Sequence, residues 1–158
     1  MRSVVQRVSE ASVAVDGQIV GRIERGSLVL LGVEAGDDES DIAWTIRKLA
    51  GLRIFPDSAG AMNLDAAAAG AAFLIVSQFT LLGDARKGNR PSFIAAAPPE
   101  EAERACEAVV EGLRAAGFEV ATGRFRAMMQ VRLVNEGPVT IILDSRRDDR
   151  LQARETHG

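Results

Sequence analysis

The sequence predicts an α+β fold in which two main helices pack against a mostly antiparallel sheet. Three observations support this class. Residues 3–23 alternate apolar and polar side chains around Asp16-Gly17, the pattern of a β-hairpin. Residues 28–33 and 73–76 are apolar runs without a polar side chain, which indicates strands buried on both faces. Two further segments begin with acidic residues and end at a glycine, as helices do.

The elements follow in order from local signals. Asp37-Asp38-Glu39-Ser40-Asp41 places carboxylates where a first helix would begin, and Gly51 would end it. Residues 52–55 and 62–64 are predicted as a short strand and its return. Pro98-Pro99-Glu100-Glu101 would begin the second helix, which Gly117 would end.

The last part of the chain is predicted to close the sheet. The expected strands are residues 118–120, 127–134 and 139–143, with Asn135-Glu136-Gly137-Pro138 as a tight connection between the last two. Its proline lacks an amide hydrogen, so the corner should be rigid. The local sequence alone gives a cis bond before Pro138 a low prior.

Length and composition bound the class of protein. A chain of 158 residues that is 47% hydrophobic and 26% charged fits one domain, residues 1–145, and residues 146–158 are expected to form a disordered tail. No segment approaches the roughly 20 apolar residues of a membrane span. We therefore expect a cytoplasmic protein without a membrane partner.

The counts of histidine and cysteine exclude common catalytic devices. The only histidine, His157, lies next to the carboxyl terminus, so a histidine-activated nucleophile is not expected. The only cysteine, Cys106, falls on the apolar stripe of the second helix and is interpreted as a buried hydrophobe. Neither a metal cluster nor a cofactor is predicted.

The candidate chemistry follows the apolar run that ends at Val76. Ser77, Gln78 and Thr80 supply uncharged donors and acceptors beside a buried strand, which suits binding of a polar substrate and stabilisation of an oxyanion. The alternative is a strand end that satisfies its own turn.

Two basic groups are candidates for contact with nucleic acid, because the net charge of −3 provides no global positive field and such a partner would need a local patch. The first is Arg86, Lys87 and Arg90, in a loop that otherwise would be ordinary solvated surface. The second is Arg124, Arg126 and Arg132, which have no acid between them.

Six strings occur in an order that resembles the D-aminoacyl-tRNA deacylase family from residue 1 to about residue 145. They are Val5-Gln6-Arg7-Val8, Leu52-Arg53-Ile54-Phe55, Met62-Asn63-Leu64, Ser77-Gln78-Phe79-Thr80-Leu81, Arg86-Lys87-Gly88-Asn89-Arg90-Pro91-Ser92-Phe93 and Asn135-Glu136-Gly137-Pro138-Val139-Thr140. One departure is Glu136, where family members often carry aspartate.

The resemblance implies a homodimeric enzyme with a barrel-like sheet that hydrolyses the ester between a D-amino acid and the 3′ end of tRNA. In the family a Ser-Gln-Phe-Thr motif lines the substrate pocket, and the resemblance gives this role here to Ser77, Gln78, Phe79 and Thr80. The resemblance further implies that Gly137-Pro138, with a cis bond, enters the partner subunit's pocket, and that Arg7 helps to hold it there.

The expected substrates and mechanism extend these implications. A rigid main-chain wall would reject L-residues by collision, so achiral glycyl-tRNA should be a second substrate. A backbone amide near Phe79 or Thr80 would bind the developing oxyanion, while the neighbouring ribose 2′-hydroxyl orients or activates the attacking water. Thr80 as a covalent nucleophile is the second choice. Two alternatives remain: a non-catalytic module that binds the tRNA acceptor end, and a hydrolase of other acyl esters. DNA is not an expected partner.

Overall fold

The computed structural model describes residues 1–146, which form a barrel-like mixed sheet flanked by helices. The strands are β1 (Arg2–Val15), β2 (Gln18–Ile23), β3 (Gly26–Gly32), β4 (Phe55–Pro56), β5 (Met62–Leu64), β6 (Ala72–Ser77), β7 (Val120–Thr122) and β8 (Gln130–Asp144). The helices are α1 (Glu39–Gly51), α2 (Ala66–Ala69) and α3 (Pro99–Ala115), with a 3-10 helix at Phe79–Leu82.

Strand β1 organises the sheet because it pairs on both edges. Its first half pairs with β3 and its second half with β2, while β8 runs antiparallel along its other edge. The turn between β1 and β2 has positive φ at Asp16 (50°) and Gly17 (78°), as the Asp-Gly hairpin signal predicts.

The remainder of the sheet is parallel, which makes the whole sheet mixed. β3 pairs with β6 and β6 with β7, both in parallel. Parallel neighbours need a long crossover, and α1 and α3 lie in those crossovers. Within this sheet the expected antiparallel character holds for the pairs that β1 makes with β2, β3 and β8, and the separate β4–β5 pair is also antiparallel.

A close approach of β2 to β7 nearly closes the barrel. A Cβ on Gly21 would lie 2.2 Å from the Thr122 carbonyl oxygen, so only glycine allows this contact. The buried residues divide into two clusters. Val8, Val13, Leu28 and their neighbours fill the barrel interior, whereas the other face of the sheet packs under α1 and α3.

The two main helices begin as their sequences predict. Asp38 caps α1 by accepting from the amides of Ser40 and Asp41, and Pro99 occupies the first turn of α3. Gly112 of α3 receives Ile46 of α1, since a Cβ there would lie 2.3 Å from Ile46 Cδ1. No helix in residues 1–146 is long and apolar enough to cross a membrane.

Several strand boundaries differ from the predicted ones. β8 is one strand, so residues 135–138 lie inside it as an irregularity in its pairing with β1, not between two strands. β7 begins at Val120 instead of residue 118. The predicted tail lies outside the described residues except Arg146, whose NH2 donates to the Ala35 carbonyl oxygen at 2.9 Å.

Candidate functional site

A cavity of about 670 Å³ opens at the carboxyl ends of the parallel strands β3 and β6. Ligands commonly bind at this edge of parallel strands. Its walls come from the ends of these strands, the 3-10 helix, the start of α3 and the segment that leads into β8. The lining residues are Leu31, Val33, Val76, Ser77, Gln78, Phe79, Thr80, Ala96, Ala97, Pro99, Ala102, Cys106, Phe125, Arg126, Ala127, Met128, Met129 and Val131.

Main-chain contacts set the position of the Ser77–Thr80 segment. The Gln78 amide donates to the Leu31 carbonyl oxygen at 2.8 Å, which ties the end of β6 to β3. Gly32 makes the approach possible, because a Cβ there would lie 2.9 Å from the Gln78 carbonyl oxygen and 2.6 Å from Leu82 Cδ2. Gly32 was not predicted as a site residue; its signal in the sequence is a glycine at the end of a buried apolar run.

The 3-10 helix lies at the cavity wall, and among the described residues its first two amides have no acceptor. Its first hydrogen bonds are donated by Leu81 to the Gln78 carbonyl oxygen (3.2 Å) and by Gly83 to that of Thr80 (3.0 Å). In the part of the chain that the structure describes, the amides of Phe79 and Thr80 donate to no acceptor. Two adjacent free amides can stabilise an oxyanion.

The side chains beside these amides are uncharged. Gln78 Nε2 donates to Thr80 Oγ1. The Phe79 ring is 58% exposed and meets the Phe93 ring edge-to-face with the centroids 5.1 Å apart. This surface can contact a base or an aromatic side chain without charge.

Apart from Arg126, no described residue that lines the cavity carries a charge. Cys106 reaches the cavity wall, but burial, followed by the charges of Glu107 and Glu103, raises the pKa of its thiol to about 12. A thiol with such a pKa is not a nucleophile near neutral pH. The site offers main-chain dipoles and hydroxyls instead of an ionisable base.

The predicted basic loop lies beside the cavity and does not line it. The loop is closed by mutual main-chain hydrogen bonds of 2.8 Å between Asp84 and Ser92. Arg86 Nε donates to Asp84 Oδ1 at 2.9 Å, and the side-chain and main-chain hydrogen bonds from Arg86 lower the pKa of Asp84 to about 2. Lys87 and Arg90 are exposed and have no ion-pair partner within residues 1–146.

The Gly137-Pro138 segment forms an exposed corner on β8 and contacts Arg7. The bond between Gly137 and Pro138 is cis, and Gly137 has φ of 120°. Arg7 NH1 donates to the Ile54 carbonyl oxygen at 2.6 Å, and its Nε lies 3.2 Å from Glu136 Oε2 in an ion pair without hydrogen-bond geometry. The longer glutamate thus still reaches the arginine.

Asn135 holds this corner and was not selected as a site residue from the sequence. Its Nδ2 donates to the carbonyl oxygens of Arg7 and Val139, both at 3.0 Å. Its Oδ1 accepts from Gln6 Nε2 at 3.4 Å and Thr140 Oγ1 at 3.3 Å. An asparagine before a Gly-Pro pair is the only sequence signal for this role.

The structure brings some of the predicted site residues together and keeps others apart. Ser77, Gln78, Phe79 and Thr80 share the cavity. Gly137 and Pro138 are exposed and absent from its lining in this single chain. The corner therefore cannot complete this cavity unless a second copy supplies it.

Comparison with known proteins gives a consistent relationship over nearly the whole chain. The model of the family described as D-Tyr-tRNA(Tyr) deacylase matches residues 4–144. The D-aminoacyl-tRNA deacylase of Anaeromyxobacter dehalogenans (strain 2CP-C) is 63% identical over 147 residues, covering 93% of this chain and 99% of the relative. That of Geobacter metallireducens (strain ATCC 53774 / DSM 7210 / GS-15) is 58% identical, covering 92% and 96%.

Solved structures agree with these matches. One named c-Myc DNA Unwinding Element Binding Protein has a TM-score of 0.86 at 40% identity, covering 91% of this chain and 98% of that one. A probable eukaryotic D-amino acid tRNA deacylase at 18% identity shares the fold, with a TM-score of 0.78 over 90% of this chain and 98% of that one. The resemblance seen in the sequence is confirmed: the chain belongs to the D-Tyr-tRNA(Tyr) deacylase family of hydrolases.

Proposed function

We propose that this chain hydrolyses the ester bond of D-aminoacyl-tRNA and releases a free D-amino acid and tRNA. The observation that carries the proposal is the pair of free amides at Phe79 and Thr80, set in an apolar cavity of a chain that belongs to this family. An aminoacyl ester is already activated, so positioning and oxyanion binding can suffice for its hydrolysis.

The test is a time course with purified protein and tRNA charged with D-tyrosine or L-tyrosine. We expect rapid release of D-tyrosine and no release of L-tyrosine above the rate without protein. If the protein bound the acceptor end of tRNA but released no amino acid, a non-catalytic tRNA-binding module would be favoured instead. Equal cleavage of small D-amino esters without RNA would favour a general esterase.

In the proposed mechanism, the Phe79 and Thr80 amides bind the developing oxyanion and the neighbouring ribose 2′-hydroxyl orients water. The cavity lining supports this route because, among the described residues, it holds no carboxylate or imidazole that could take a proton from Thr80. Thr80→Ala and Thr80→Ser should keep most of the activity on normal substrate. Full activity on tRNA ending in 2′-deoxyadenosine would exclude the assisted route.

The chiral filter in this proposal is the Gly137-Pro138 corner of a second copy in a homodimer. The corner is exposed, Glu136 pairs with Arg7, and Asn135 donates to the carbonyl oxygens of Arg7 and Val139, so the corner can act as a rigid wall against an L side chain. Glycine has no side chain to collide, which makes glycyl-tRNA the expected second substrate.

The dimer is tested by the native mass together with selectivity. We expect a species of twice 16.8 kDa. Gly137→Ala should lower the preference for D over L, because its Cβ would lie 2.8 Å from Val139 Cγ2 and φ of 120° disfavours any side chain. A monomer that discriminates fully between D- and L-esters would refute the shared site.

Lys87 and Arg90 are the proposed contacts with phosphates of the acceptor strand, while Arg86, already paired with Asp84, contributes less. Each lost phosphate contact should reduce the slope of log affinity against log salt by about 0.7. We expect this change for Lys87→Ala and Arg90→Ala, and a smaller one for Arg86→Ala. Arg47→Ala, on α1, is the charge-matched control.

A further inference from the structure

Among the cations of residues 1–146, Arg126 stands apart because it lines the cavity. It is the one charged residue among the described lining residues, it is exposed, and it has no ion-pair partner within residues 1–146. It therefore places an arginine without an ion-pair partner in the lining of the cavity that Ser77–Thr80 also line.

The main chain at Arg126 has a conformation that arginine rarely adopts. Its φ is 60°, and the Ala127 amide donates to the Arg124 carbonyl oxygen at 3.2 Å, so Arg126 occupies the third position of a turn that normally has glycine there. The preceding Gly123 amide donates to the Ile75 carbonyl oxygen at 3.1 Å. The turn is thus fixed to β6 two residues before Ser77.

From this geometry we infer that Arg126 binds the phosphate that joins the last two nucleotides of the aminoacyl-tRNA, and so positions the ester at the Phe79 and Thr80 amides. The inference rests on the proposed function. A guanidinium matches the phosphate oxygens with two parallel hydrogen bonds. The phosphate and the ester are attached to the same terminal ribose, so one small cavity can receive both.

The favoured ligand is a phosphate and not an acidic amino-acid side chain. Every aminoacyl-tRNA carries the phosphate, whereas only aspartyl and glutamyl esters carry a side-chain carboxylate. Arg126 is exposed at the cavity wall, while the rest of the lining is predominantly apolar. Such a lining suits a substrate whose charge stays at the mouth.

The experiment compares two short substrates, of which only one carries this phosphate, together with the cytidine beyond it. They are the 3′-D-tyrosyl ester of adenosine and the same ester of the dinucleotide CpA. For the wild type we expect kcat/KM for the CpA ester to be about ten- to a hundredfold higher, as one charged hydrogen-bonded contact provides. Arg126→Gly should bring that ratio close to one, mainly through KM.

Three controls separate this effect from loss of structure and from a general change in charge. Glycine suits the turn, so Arg126→Gly should retain or raise the melting temperature. Arg126→Lys should restore part of the preference for the CpA ester, because lysine keeps the positive charge but cannot donate the two parallel hydrogen bonds of a guanidinium. Arg47→Ala should leave the ratio as in the wild type.

The outcomes are distinguishable. If Arg126→Gly keeps the preference for the CpA ester, or weakens both esters equally, the inference is overturned while the proposed function stands. If the loss is confined to D-aspartyl and D-glutamyl esters, Arg126 recognises side chains instead. If the wild type releases D-tyrosine from neither ester nor from tRNA, the proposed function itself fails.

Discussion

Replacing Asn135 by alanine should weaken the fold moderately and chiral selectivity strongly. The Nδ2 group donates to the Arg7 carbonyl oxygen of β1 and, across the corner within β8, to the Val139 carbonyl oxygen, both at 3.0 Å. Each such hydrogen bond contributes about 1 kcal/mol, and the contacts accepted by Oδ1, at 3.3 and 3.4 Å, add little. We expect a loss of about 2 kcal/mol in the free energy of unfolding.

The assay is denaturant unfolding together with cleavage of D- and L-tyrosyl-tRNA. A loss of about 2 kcal/mol lowers the melting temperature by about 4–8 °C in a domain of this size. The D over L ratio of kcat/KM should fall by about tenfold, because the Gly137-Pro138 corner is no longer held in place.

A matched variant separates positioning from stability. Asp38→Ala removes the cap of α1, which also costs about 1–2 kcal/mol, at a position remote from the corner. Its D over L ratio should stay at the wild-type value. If Asn135→Ala lost stability while its ratio also stayed unchanged, the reasoning about the corner would be refuted.

Three further results are expected. Gly32→Ala should lower the free energy of unfolding by about 1–3 kcal/mol and slow cleavage of the ester, since its Cβ would lie 2.9 Å from the Gln78 carbonyl oxygen. A wild-type free energy of unfolding together with a wild-type cleavage rate would contradict this. Native protein treated with iodoacetamide at about pH 8 should show unmodified Cys106 by mass spectrometry, because its pKa near 12 leaves almost no thiolate. The carboxyl group of Asp84 should titrate by NMR at about 2, and in Arg86→Ala closer to the ordinary value. Because its folded pKa is lowered, the stabilising contribution of Asp84 is present above the unfolded pKa and is lost as the pH falls toward 2.

Local rules accounted for the elements whose determinants are adjacent in the chain. The Asp16-Gly17 turn, the cap at Asp38 and the buried strand at residues 73–76 follow from glycine conformation, capping chemistry and unbroken hydrophobicity. Long-range pairing accounts for what was missed. Gly137-Pro138 appeared to end a strand, yet β1 pairs with β8 on both sides of the corner and keeps it in one strand.

The candidate site divides in the same way. Ser77, Gln78 and Thr80 could be selected because they are polar residues at the end of a buried strand. Asn135 could not, because its partner at Arg7 lies 128 residues away along the chain. Arg126 was visible as one basic residue among three, but its place in the cavity depends on how the turn is fixed to β6.

The central claim is exclusion of L-residues by a wall that glycine and D-residues avoid. The most direct measurement is the initial rate of cleavage of D-alanyl-, glycyl- and L-alanyl-esters on one and the same tRNA. The account predicts that the D-alanyl and glycyl esters are cleaved and the L-alanyl ester is spared. Two results would contradict exclusion by the wall. One is cleavage of the D- and L-alanyl esters at equal rates, and the other is failure to cleave both the glycyl and the L-alanyl ester.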